Sequence, residues 1–74
     1  IDVPAQGFCL TAVDGNSTSW SWTNATEDAD TTQEGGNMAG ASDMFNTAQT
    51  GLAISATPAS GTVRVLVAAA FGPV

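Results

Sequence analysis

"GFCLTAVDGNSTSWSWT" (residues 7–23) holds both tryptophans and the single cysteine of a 74-residue chain, and its register decides what the core is made of. "GFCLTAV" reads as a strand, and "TSWSWT" alternates hydroxyl and tryptophan with the period of two that a half-buried strand shows. Between them Asp14-Gly15-Asn16 is a strong turn signal, so the two runs are expected to form a hairpin. A two-residue Asp-Gly loop would set Cys9 opposite Trp20 and turn the tryptophans away from Phe8 and Leu10. A three-residue loop pairs Phe8 with Trp22 and Leu10 with Trp20, gathering four large side chains on one face. A one-residue slip exchanges the faces of a strand, so burial selects the second register and predicts that both tryptophans are core.

Working outward, "GLAISAT" (residues 51–57) and "TVRVLVAAA" (residues 62–70) flank "PASG", whose early proline and late glycine suit a four-residue hairpin connection. That register sets Ile54 opposite Val65, Leu52 opposite Val67 and Ala56 opposite Val63, with Ser55 beside Arg64. The last strand is apolar on both faces, as expected of one covered on two sides. "IDVPA" at the start suits an edge strand, where Pro4 is tolerated. "SDMFNTAQ" (residues 42–49) reads as a helical turn or a further strand, with Met44 and Phe45 plugging the core. Residues 24–41 remain, an acidic Gly-rich stretch expected to be a long loop. The fold class that follows is all-β: residues 1–74 as a single small antiparallel sandwich or flattened barrel carrying one long acidic loop.

Composition narrows the function. Lysine and histidine are absent, Arg64 is the only base, and the net charge is −6. Phosphate recognition needs Lys and Arg, so nucleic acid is excluded as a partner, and anionic membrane surfaces are disfavoured likewise. With one cysteine and no histidine the chain can form neither an internal disulfide nor a Cys/His zinc site, although domains of this size usually carry such staples. It must fold on apolar packing alone or lean on a neighbour. Half of the residues are Ala, Thr, Ser or Gly, a lean composition associated with exported or particle-surface β proteins.

Catalysis has little to work with. Without histidine no Ser-His or Cys-His nucleophile pair can form, and the carboxylates lie in the acidic stretch, at a turn or near the terminus. A non-enzymatic protein without cofactors is expected. Asp28, Asp30, Thr32 and Glu34 place oxygens at alternate positions as calcium loops do, but the sixth position is Gln33 rather than glycine and the twelfth is Ala39, so a solvated loop is the simpler reading. Trp20 and Trp22, if turned outward, would make a platform for stacking sugars. That gives the alternative reading, a carbohydrate-binding or adhesive extracellular module. Cys9 is expected to be a small buried hydrophobe.

The closing "LAISATPASGTVRVLVAAAF" (residues 52–71) resembles the C-terminal hairpins of small β-rich head-decoration proteins of tailed phages, which are also Ala/Thr/Gly-rich and end in a "GTVRV"-type strand. The resemblance implies a capsid-stabilising protein on the virion surface, often oligomeric, with no catalytic residues. The missing staples point the same way, toward a chain that covers its strand edges and apolar surface with other subunits. Partners are expected to be a major capsid protein or further copies of itself, in a homo-oligomer or bound to a lattice. Docking is expected through sheet faces, strand edges and the acidic loop, with Asp28, Asp30, Glu34, Met38 and Arg64 as the candidate contact residues.

Overall fold

In the computed structural model, which describes residues 1–33 and 36–72, two long segments run antiparallel beside each other and bend together from one layer into another. The first segment holds β1 (Gly7–Gly15) and β2 (Trp20–Thr23); the second holds β5 (Ser55–Pro58) and β6 (Val63–Phe71). β1 pairs with β6 from Phe8↔Phe71 to Gly15↔Val63, and beyond the bend β2 pairs with β5 from Trp20↔Pro58 to Thr23↔Ser55. Between them β3 (Thr26–Gln33) and β4 (Gly36–Phe45) lie side by side and extend the larger layer. The result is all-β, antiparallel and sandwich-like, with a four-stranded sheet in the order β3-β4-β1-β6 facing a two-stranded sheet, β2-β5.

This topology corrects both expected hairpins. Asp14-Gly15-Asn16 does not fold β2 back onto β1, because β4 and β6 occupy both edges of β1. The Pro58–Gly61 bend likewise does not pair β5 with β6. Both turns are corners at which a strand leaves one sheet for the other, the device that joins layers in such packings. The corners brace each other: Asn16 N–H donates to the Thr62 carbonyl at 2.9 Å and Ala59 N–H to the Ser19 carbonyl at 3.0 Å. A bulge marks the bend, since Asp14 pairs with Val65 and Gly15 with Val63, leaving Arg64 as the extra residue. Gly61, at φ 78°, sits in the left-handed region, and a Cβ there would fall on the Asn16 carbonyl.

The acidic stretch is also corrected. After a bend at Asn24 and Ala25, its described residues are strand, not loop: β3 forms one edge of the sheet, where solvent receives its carboxylates, and β4 alternates small inward residues with outward ones. Inward-facing Asn37, Ala39 and Ala41 are buried beside Cys9, Thr11 and Val13 of β1. Small side chains on this floor leave room for the tryptophans of β2. Trp20 packs with Val13, Ala39 and Ala56, and Trp22 packs against that cluster, half-buried. The tip of the Trp20 ring lies on Gly15, where a Cβ would come within 2.7 Å of Cη2.

Trp20 thus belongs to the core and Trp22 packs half-buried against it. The expected face shared with Phe8 and Leu10 does not form: β2 pairs with β5, and Phe8 and Leu10 point to the opposite, outer side of β1. Cys9 is fully buried, as expected. At the start of the chain only Val3 makes a bridge, with Gln49, and no longer edge strand forms. Residues 42–45 are the end of β4 and not a helical turn. Met44 does not plug the core: it is 80% exposed, because positions 38, 40, 42 and 44 all face outward. Nor is β6 covered on two sides; as the edge strand of its sheet it is exposed on both.

Candidate functional site

Register fixes which side chains share the outer face of the four-stranded sheet, since directly paired residues of antiparallel strands point the same way. Four rows cross the sheet. Met44, Phe8 and Phe71 form the first; Thr26, Ser42, Leu10 and Ala69 the second. Ala29, Gly40, Ala12 and Val67 form the third, and Thr31, Met38, Asp14 and Val65 the fourth. Nothing among the described residues covers this face. Val67 is 60% exposed, Met38 54%, Val65 51% and Leu10 48%, and the Phe8 and Phe71 rings stack with centroids 5.0 Å apart.

The middle rows are small, so the surface dips. A hollow of about 280 Å³ lies between β1 and β6, lined by Leu10, Ala12, Val67, Ala69 and Phe71. A second of about 390 Å³ lies on the β3–β4 side, against Ala29, Thr31, Met38 and Gly40. Asp14 is the only charged residue in the rows, and its carboxylate accepts a hydrogen bond from Arg64 Nη2 at 3.1 Å. Such a face offers shape and apolar surface. Contiguous apolar patches of this kind mark interaction sites.

The expected contact residues are dispersed by the fold. Met38 stands on the outer face, and Arg64 is the bulge residue at the corner, turned toward Asp14 rather than Ser55. Asp28 lies at a register shift of β3, where its carboxylate accepts the Ser42 hydroxyl at 2.6 Å. Asp30 and Thr32 instead converge on Asn37, whose Nδ2 donates to Thr32 Oγ1 at 2.9 Å and to Asp30 Oδ1 at 3.5 Å. Asp28 and Asp30 therefore serve different partners, and among the described residues no three acidic, Cys or His side chains cluster as a metal site would require. Glu34 lies outside the described residues.

The tryptophan platform is corrected as well. Trp20 is 8% exposed and its Nε1 donates to Asn37 Oδ1 at 2.6 Å in the interior. Trp22 shares that inward side of β2, and its Nε1 donates to Glu27 Oε1 at 3.0 Å. Two rings turned toward the core cannot stack a sugar together.

Sequence reasoning missed Asn37 and the outward set of Leu10, Val65, Val67 and Phe71. An asparagine in an acidic stretch carries no mark of burial. The outward set leaves a signal in the apolar residues on both sides of β6, a pattern that a covered strand shares. None of the known protein families, curated proteins or solved structures compared with it matches this chain.

Proposed function

We propose that this chain is a structural, non-enzymatic assembly protein that docks onto other protein subunits through the outer face of its four-stranded sheet. The contiguous apolar surface running from Met44 through Leu10 and Ala12 to Val65 and Val67 carries this reading. In a domain so small, leaving that many apolar side chains in water forfeits stabilisation of about 25 cal/mol per Å² that burial would return. A covering partner restores it, which fits a chain without disulfide or zinc staples.

The setting on a virus particle, as a decoration or minor capsid component, rests on the sequence resemblance of residues 52–71. Those residues bend between two sheets rather than forming a hairpin, so the support is their sequence pattern alone. The major capsid protein is the partner this reading names.

Gradient sedimentation of particles from the producing material, probed with antibodies raised against the chain, tests it. The chain should travel with the particle protein, and tagged Leu10→Lys and Met44→Lys versions should remain at the top while keeping their β circular dichroism. Wild-type chain found only in the free fraction would overturn the virion assignment. Particle binding undiminished in both variants would overturn the outer face as the docking surface.

A further inference from the structure

The two edges of the four-stranded sheet are treated in opposite ways. β3 carries Glu27, Asp28 and Asp30 and a register shift, both of which discourage another strand from pairing with it. β6, at the other edge, carries no acid, no proline and no lysine, and its one base, Arg64, stands at the bulge near one end. From Val65 to Phe71 the strand is regular, uncharged and exposed on nearly every residue, and no strand among the described residues lies on its far side. Protecting one edge and leaving the other bare marks the bare one for a partner strand.

We infer that the occupant of this edge is a second copy of the chain, β6 pairing antiparallel with β6 about a two-fold axis at Ala68. The sequence of the strand is self-complementary in that arrangement. Val67 falls opposite Ala69 of the other copy and Leu66 opposite Ala70, a large side chain beside a small one in each, while Val65 and Phe71 meet as an aromatic and β-branched pair at either end of the seam. Charge does not oppose the pairing despite the net −6. The acids of β3 lie three strand spacings from β6, about 14 Å, and Asp43 on β4 lies two, about 10 Å, both beyond a Debye length of about 8 Å at physiological salt. Asp14 on β1 is paired with Arg64. The axis runs perpendicular to the sheet, so both outer faces point the same way and fuse into one apolar surface across eight strands.

The dimer deepens the docking reading and rests on it for the use of that fused surface, while the pairing itself rests on the bare edge. Sedimentation equilibrium of the isolated chain over a hundredfold concentration range should give a dimer. Val67→Lys, at a position already exposed, should give a folded monomer by circular dichroism. Met44→Lys, on the far side of the face, should remain dimeric even where it abolishes particle binding, which separates failure of the docking reading from failure of the dimer. Ala68→Cys should cross-link to its own copy through a short bis-maleimide far more than Thr31→Cys on the β3 edge, with buried Cys9 silent in both. A wild-type monomer throughout would overturn the inference and leave the edge to a strand from another protein. So would a dimer that Val67→Lys leaves intact, or equal cross-linking at the two edges.

Discussion

Trp20 Nε1 donates to Asn37 Oδ1 at 2.6 Å, and the same asparagine is wholly buried between the two sheets. Its Nδ2 reaches Thr32 and Asp30 on the acidic strand, so one side chain ties the small sheet, β4 and β3 together. Asn37→Ala leaves the indole N–H without this acceptor and is expected to cost about 1–3 kcal/mol. Urea unfolding followed by tryptophan emission measures it; an unchanged midpoint would mean that Trp20 finds another acceptor.

The corner at Gly61 gives a second expectation. Gly61→Ala meets both a left-handed backbone and the Asn16 carbonyl, whereas Gly51→Ala meets only the left-handed backbone, at φ 63° with nothing within 4 Å of a Cβ. The Gly51 substitution should cost about 1 kcal/mol and the Gly61 substitution more, because the paired corners must separate. Equal losses in chemical denaturation would show that the two corners do not brace each other.

Arg64 and Asp14 form an ion pair whose side chains are 50% and 34% exposed. Water screens such a pair, so a double-mutant cycle with Arg64→Ala and Asp14→Ala should return a coupling of about 0.2–1 kcal/mol that shrinks with added salt. A larger, salt-insensitive coupling would mean that the pair holds the bulge in place.

Fold class was legible in the sequence because period-two alternation and small hydroxyl-rich residues speak directly of strands, whereas the burial of Trp20 came out right through a pairing with Leu10 that does not form. Topology was not. Asp14-Gly15 and Pro58–Gly61 state that the chain bends, but a bend gives no information on whether its two arms pair with each other. Here each arm pairs with an arm of the other bend, a choice made by long-range burial of Trp20 over Ala39 and Val13. β3 was hidden for a different reason. An edge strand keeps its carboxylates in water, so "TEDADTTQ" has the composition of a loop although its backbone is paired. The apolar residues on both faces of β6 fit either a covered strand or one awaiting a partner, and only the sheet order separates the two.

Leu10 and Val13 test the face assignment itself, since they lie three residues apart on β1 and on opposite sides of the sheet. Val13 is 2% exposed in the core, and Val13→Ala should cost about 2 kcal/mol through lost burial and the space left behind. Leu10 stands half in water, and Leu10→Ser should change the unfolding free energy of the monomer by no more than about 0.5 kcal/mol. The same change should lower the binding of an apolar fluorescent dye, because it removes one wall of the hollow beside Val67. If Leu10→Ser destabilised the chain as much as Val13→Ala, the outer face would be buried in the free protein. The docking surface would then be lost, and the bare β6 edge would be the only feature left for assembly.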